Sequence, residues 1–146
     1  YDGLKEYRAP IVLGKGEVIY KESEIALIAV GSMVKTAVEV REELISRGYS
    51  CTLANARFVK PIDEEMLSEL CKEHRLLVTM EENVSSGGFG ERVRTFLGGV
   101  QTKAQTLSIA LPDAYVEHGN VDILRKEVGI DLDSIVKKVI EKYETL

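Results

Sequence analysis

The sequence has few residues of the kinds that cross-link small proteins or bind metals. Its 146 residues include two cysteines and two histidines. Cys51 and Cys71 lie far apart without a C-x-x-C pair, whereas a structural zinc site takes four ligands in closely spaced pairs. A chain of this length buries about 70% of the surface of its unfolded form, so it needs neither metal nor disulfides. We expect both cysteines to be reduced core thiols of a cytoplasmic protein.

The sequence also lacks a long apolar run and an excess of basic residues. No apolar stretch approaches the about 20 residues of a membrane span, and the N-terminus shows no signal-peptide pattern. Acidic residues outnumber basic ones by 24 to 19, which gives a net charge of -5. This balance argues against a nucleic-acid binder or an anionic-membrane binder, since both usually carry a basic patch. Because the chain begins with Tyr1 rather than Met, we expect it to be processed or cut from a longer protein.

Short apolar runs alternate with amphipathic stretches along the chain. The predicted strands are 16–20, 25–30, 51–54, 76–80 and 106–110. The predicted helices are 34–47, 63–72, 89–97, 121–128 and a last one that begins at the cap Asp131. This order predicts an α/β domain over 14–146, with a mostly parallel sheet between helices, after a lead-in of 1–13. The turn before the second strand is too short for a crossover, so the first strand should pair antiparallel or lie elsewhere in the sheet.

A loop rich in Ser and Gly, 85–90, follows a predicted strand and opens a predicted helix. Backbone N–H groups at such a place can bind phosphate. However, Val93 stands where the third Gly of a G-x-G-x-x-G pattern would be, and no P-loop Gly-Lys-Ser/Thr follows. We therefore favour a turn in which Gly87, Gly88 and Gly90 allow a sharp bend or close backbone packing.

Charged side chains follow two neighbouring predicted strands at the edge where ligands collect in open α/β sheets. Glu81 and Glu82 follow one strand, and Arg57 and Lys60 follow the strand before it. Neighbours on an extended chain point to opposite sides, so only one carboxylate can face a given site. Acid–base work is one interpretation of the acidic pair. We favour ion pairs between this pair and the two basic residues.

Neither histidine has a partner that indicates nucleophilic catalysis. His118 lies in a predicted loop, where it is a candidate general base or, in the interpretation we favour, orients the loop by bonding backbone. His74 ends a predicted helix and is expected to be solvated or to face the helix dipole. Since the sequence shows no metal cluster, complete nucleotide motif or triad, its chemistry predicts a domain without a self-contained active site.

Four segments are more specific when they are taken together. They are Gly14-Lys15-Gly16-Glu17, Asn55-Ala56-Arg57-Phe58-Val59-Lys60-Pro61-Ile62-Asp63, Glu81-Glu82-Asn83 with Gly87-Gly88-Phe89-Gly90, and Leu111-Pro112-Asp113-Ala114-Tyr115-Val116-Glu117-His118-Gly119. In this order and spacing they resemble the C-terminal domain of the 1-deoxy-D-xylulose-5-phosphate synthases, a transketolase-like family. The resemblance covers nearly everything from Leu13 onward. Transketolase and the β subunits of 2-oxo acid dehydrogenases share this domain, but the second and fourth segments favour the synthases.

The resemblance implies a three-layer α/β/α fold with a five-stranded mixed sheet. It implies a parent enzyme that uses thiamine diphosphate and Mg²⁺ to condense pyruvate with glyceraldehyde 3-phosphate, releasing carbon dioxide, in non-mevalonate isoprenoid synthesis. Other domains of that family hold the cofactors, so neither is expected on this chain. The chain would instead pack on the N-terminal and middle domains and contribute to a homodimer, without turnover alone and without nucleic-acid or membrane partners.

The resemblance also assigns roles to the residues at the predicted sheet edge. Arg57, Lys60, Glu81, Glu82 and the turn 87–90 are expected to order loops or an interface rather than make bonds, and the segment from Asp113 to His118 is a second candidate contact. Three alternatives stay open. They are an anion- or nucleotide-binding regulatory module that uses the turn 87–90, a dehydrogenase β-subunit domain that docks a partner subunit, and a self-sufficient enzyme.

Overall fold

A computed structural model describes residues 14–58, 61–84, 88–112 and 132–146. The strands are β1 (Glu17–Tyr20), β2 (Glu24–Ala29), β3 (Cys51–Asn55), β4 (His74–Val84) and β5 (Gln105–Pro112). The helices are α1 (Met33–Ser46), α2 (Glu64–Glu73), α3 (Phe89–Leu97) and α4 (Leu132–Glu144). Within the described ranges, no helix has the length and apolar character that crossing a membrane requires.

The five strands form one sheet in the order β1-β3-β2-β4-β5. β1 runs antiparallel to β3, with Glu17 opposite Asn55, and the other neighbours are parallel. The sequence left two arrangements open for the first strand, and β1 combines them, since it pairs antiparallel but with β3 rather than with β2. The chain adds β3 on one side of β2 and β4 on the other. The segments that leave β2 and β4 diverge at the carboxyl ends of these strands, which is where open α/β sheets bind ligands.

Helices cover both faces of the sheet, which confirms the three-layer α/β/α architecture. One core contains Leu27 and packs the sheet against α1 and α4, whereas the other contains Ile28 and packs it against α2 and α3. The alternation of neighbouring β2 side chains between the two cores is the period of a strand. Such burial on both faces explains why β2 is a continuous apolar run.

The described elements follow the predicted ones closely, and the predicted cap of α2 is confirmed. Oδ1 of Asp63 accepts a hydrogen bond of 3.0 Å from the backbone N–H of Met66, and Oδ2 accepts one of 2.9 Å from that of Gly16. Asp63 therefore ties the entry of β1 to the start of α2. The lead-in 1–13, the predicted helix 121–128 and the predicted cap Asp131 lie outside the described residues.

The prediction that His74 is solvated is wrong. Its side chain is 4% exposed, because α2 passes into β4 without a loop and carries His74 into the sheet. Nδ1 of His74 lies 2.8 Å from the carbonyl oxygen of Leu70, which can only accept, so Nδ1 carries the proton. Nε2 then accepts from the buried hydroxyl of Thr52 at 2.7 Å. His74 does contact the C-terminal end of α2, as the other expectation had it, but this contact is buried.

Both cysteines lie in the interior as free thiols, as predicted. Cys51 belongs to the core beneath α1 and α4, and Cys71 belongs to the core beneath α2 and α3. Burial raises the pKa of Cys51 to about 12 and also raises the pKa of Cys71 above its ordinary value. Because the thiolate is the reactive form, neither group is poised as a nucleophile.

Candidate functional site

A buried carboxylate occupies the N-terminus of α3. Glu81 is 6% exposed and lies in β4. Its Oε1 accepts a hydrogen bond of 2.7 Å from the backbone N–H of Phe89, and its Oε2 accepts one of 2.5 Å from that of Gly90. The N-cap of α3 is Gly88, which has no side chain to satisfy these groups. Glu81 therefore supplies from the sheet the cap that α3 lacks, and its charge complements the helix dipole.

Gly90 makes this contact possible because the first turn of α3 lies against the sheet. A Cβ atom at Gly90 would lie 2.8 Å from Oγ of Ser108, 2.9 Å from Oγ1 of Thr79 and 3.1 Å from Oε2 of Glu81. Oγ1 of Thr79 donates to Oγ of Ser108 at 3.2 Å, so two strands present one polar surface to the helix. These contacts support the interpretation of close backbone packing at Gly90.

Glu82 projects from the opposite face of β4. Its Oε2 accepts a hydrogen bond of 2.9 Å from the hydroxyl of Ser32, the N-cap of α1. The two adjacent glutamates thus contact the N-termini of different helices on opposite faces of the sheet, as the alternation of side chains along a strand requires. The Glu82–Ser32 contact spans the carboxyl ends of β2 and β4, where the connections diverge.

The predicted ion pair between Arg57 and Glu81 is wrong, since Glu81 binds the backbone of α3. The guanidinium of Arg57 instead pairs with Oε1 of Glu17 at 3.0 Å, and both side chains are 8% exposed. The backbone N–H of Arg57 donates to Oδ1 of Asn55, and its φ of 61° is in the left-handed region. Arg57 therefore fastens β1 to the end of β3 and adopts a backbone conformation that non-glycine residues rarely use.

Glu17 is the member of this site that the sequence analysis missed. The signal for it was available, because an antiparallel first strand must begin beside the end of its partner. In the structure Glu17 is opposite Asn55, two residues before Arg57. A charged residue at the start of such a strand and one of opposite sign just past the end of its neighbour indicate a pair across the edge.

The structure brings the predicted site residues together only in part. Glu81, Gly88 and Gly90 meet at α3, whereas Arg57 pairs with Glu17 at the β1 side. Glu82 contacts Ser32 on the other face of β4. Four predicted positions lie outside the described residues, and they are Lys60, Gly87, Asp113 and His118. The described part of the edge is a set of helix caps and a strand-to-strand ion pair.

The described residues of this edge offer neither a ligand set for Mg²⁺ nor an open N-terminus of α3 for a diphosphate. Among them, no group of three or more His, Cys, Asp or Glu side chains could hold a metal ion. The backbone N–H groups of Phe89 and Gly90, which could otherwise bind a phosphate, are taken by Glu81. The arrangement is suited to ordering α3 and the sheet edge.

Comparison with known proteins assigns this fold to a family. Residues 14–135 match the family model described as "Transketolase, C-terminal domain", and the chain belongs to this family. Similar solved structures show the same fold. A chain described as "Split gene transketolase, inactive beta4 tetramer" superposes with a TM-score of 0.82 at 24% identity, over 94% of this chain and 46% of that one.

More specific similarity is to proteins named 1-deoxy-D-xylulose-5-phosphate synthase. The protein from Lachnoclostridium phytofermentans is 52% identical over 140 residues, which cover 95% of this chain and 22% of the relative. Those from Dehalococcoides mccartyi and Alkaliphilus oremlandii are 41% and 35% identical over 89% and 97% of this chain, and the matches cover 20% and 23% of the relatives. The chain thus spans about a fifth of the length of these curated relatives.

Proposed function

We propose that the chain is the C-terminal domain of a thiamine-diphosphate-dependent 1-deoxy-D-xylulose-5-phosphate synthase. The observation that carries the proposal is the 52% identity to a protein of that name over 95% of this chain. The whole enzyme would join pyruvate to glyceraldehyde 3-phosphate with release of carbon dioxide. Thiamine diphosphate and Mg²⁺ would be held by the other domains and would supply the carbanion chemistry there.

Within that enzyme the role of this chain is structural. It packs on the N-terminal and middle domains, contributes to a homodimer and has no turnover alone. The buried edge contacts support this role, because Glu81 orders α3 and the Arg57–Glu17 pair fixes the end of β3. Elements that are held in place before docking lose less entropy when a neighbouring domain packs on them.

An independent regulatory module that binds anions at α3 is the less favoured function. A phosphate at the N-terminus of α3 would have to displace a buried carboxylate that already accepts two N–H hydrogen bonds. Charge-assisted hydrogen bonds of this kind are among the strongest in proteins, so the exchange would be costly.

A domain exchange tests the proposal. The segment of the Lachnoclostridium phytofermentans protein that matches this chain is replaced by this chain, and product formation from pyruvate and glyceraldehyde 3-phosphate is measured with thiamine diphosphate and Mg²⁺. We expect the chimera to form a dimer and keep most of the turnover of the parent, while the 146-residue chain alone has none.

The control is the same chimera with Gly90→Leu, which should lose activity because the first turn of α3 cannot accept a larger side chain. The proposal is overturned if the isolated chain turns over substrate. It is also overturned if the chimera has the dimeric state and circular dichroism of the parent but makes no product.

A further inference from the structure

A cleft with a volume of about 1030 Å³ lies at the amino ends of β4 and β5. Glu81 lies near the other end of β4. The walls of the cleft are the last turn of α2, the segment 100–104 that precedes β5, and the end of α4. Its volume is just above the range of about 300–1,000 Å³ that is typical of small-molecule sites.

The cleft is basic, although the chain as a whole carries a net charge of -5. Its charged side chains are Lys72, Arg75, Lys103, Lys142 and Glu73. The single carboxylate among them is already paired, since Oε2 of Glu73 lies 3.0 Å from Nζ of Lys21. Within the described ranges the three lysines of the cleft form no ion pair. Leu146 adds the terminal carboxylate of the 146-residue chain to the lining, and the four cations still outnumber the two carboxylates.

Two sets of contacts hold the walls of the cleft in place. The guanidinium of Arg75 lies 5.6 Å from the ring centre of Tyr143 and 3.8 Å from a carboxylate oxygen of Glu24, which also accepts from the Tyr143 hydroxyl at 2.8 Å. On the other wall, Oγ1 of Thr102 donates to the carbonyl oxygen of Cys71 at 3.4 Å and accepts from the backbone N–H of Ala104 at 3.1 Å. A site whose walls are fixed before binding loses less entropy when a ligand arrives.

We propose that this cleft binds a small molecule with clustered phosphate groups. Several cations around one cleft suit a ligand with more than one negative charge, and lysine ammonium groups bind phosphate as point charges. Ser68, Gln101 and Gln105 add neutral hydrogen-bonding groups, and Val100 and Ala104 add apolar surface for an organic part.

Titration of the isotopically labelled 146-residue chain with inorganic tripolyphosphate and with ATP tests the proposal. We expect backbone amide shifts in 72–75 and 100–105, a Kd of about 1 mM or lower, and weaker binding at higher salt. Equal affinity for the two probes means that the phosphates alone are bound. Tighter binding of ATP means that the apolar wall contacts the organic part.

Two double variants test whether the lysines of the cleft bind the phosphate probes. Lys72→Gln with Lys103→Gln should raise the Kd about tenfold or more, a change of about 1.4 kcal/mol. The matched control, Lys35→Gln with Lys138→Gln, removes the same charge from exposed positions on α1 and α4 and should change the Kd less than about twofold. An equal loss in both pairs overturns the proposal, as do shifts centred on 88–90 or no shifts with about 10 mM probe.

Discussion

Oε2 of Glu81 lies 2.5 Å from the backbone nitrogen of Gly90, and this hydrogen bond joins β4 to the first turn of α3. The N-cap glycine of α3 has no side chain, so the helix takes its capping group from another element. The contact explains two features of the sequence together. A glutamate ends the buried part of β4, and a glycine stands inside a helix where alanine would have the better propensity.

Replacing Glu81 should destabilise the domain through the N-terminus of α3. Glu81→Ala leaves two buried N–H groups without their acceptor, and we expect the free energy of unfolding in urea to fall by about 1–3 kcal/mol. Glu81→Gln should lose less, because the amide oxygen still accepts one hydrogen bond. Glu39→Ala, at an exposed position on α1, is the control and should have little effect. Equal stability of Glu81→Ala and Glu39→Ala would contradict the capping role.

Gly90 should tolerate no side chain, for steric rather than conformational reasons. A Cβ atom there would lie 2.8 Å from Oγ of Ser108, so we expect Gly90→Ala to lower the free energy of unfolding by about 1–3 kcal/mol. Gly98 is the matched control, because its Cβ would meet no atom closer than 3.4 Å. Gly98→Ala should be neutral or stabilise by up to about 1 kcal/mol. The steric account fails if both variants shift the urea midpoint alike.

Both members of the Arg57–Glu17 ion pair should be necessary for the full stability of the domain. Arg57→Met leaves a buried carboxylate without this cation, and removal of one partner from such a pair typically costs about 3–5 kcal/mol. Arg57→Met combined with Glu17→Leu should be less destabilised than the sum of the single variants, because neither charge is then stranded. Urea unfolding of the wild type, Arg57→Met, Glu17→Leu and the double variant gives the coupling free energy between the two side chains.

An exposed ion pair provides the comparison for this prediction. Lys21 and Glu73 lie 3.0 Å apart, but their side chains are 61% and 43% exposed. Lys21→Ala should therefore change the free energy of unfolding by no more than about 1 kcal/mol. If Arg57→Met cost as little as Lys21→Ala, the buried pair would not hold β1 to β3.

The sequence predicted those elements whose signals are local. α3 begins and ends where the amphipathic pattern and the Gly98-Gly99 stop signal place it. The short turn before β2 excluded a parallel crossover between β1 and β2, and β1 pairs antiparallel with β3. Local rules sufficed here because periodicity and chain length alone limit what these segments can form.

Local sequence rules do not predict the partner of a polar side chain when that partner is brought close only by the fold. Glu81 and His74 read as the ends of a strand and a helix, yet both lie inside β4 and are buried. The donors that satisfy them are the backbone N–H groups of Phe89 and Gly90 and the hydroxyl of Thr52, which belong to other elements and meet them only in the folded sheet. The partner of Arg57 was missed for the same reason, since Glu17 is adjacent only in the antiparallel register.

Cys51 should make the stability of the domain sensitive to alkaline pH. Burial raises its pKa from 9.0 to about 12, so above pH 9 the thiol ionises in the unfolded chain but not in the folded one. The unfolded state then binds fewer protons, and the free energy of unfolding falls by about 1.4 kcal/mol per pH unit between the two values. Urea unfolding at about pH 8 and about pH 10 should therefore show a larger loss for the wild type than for Cys51→Val. Parallel losses in the two proteins would mean that the Cys51 thiol ionises equally in both states.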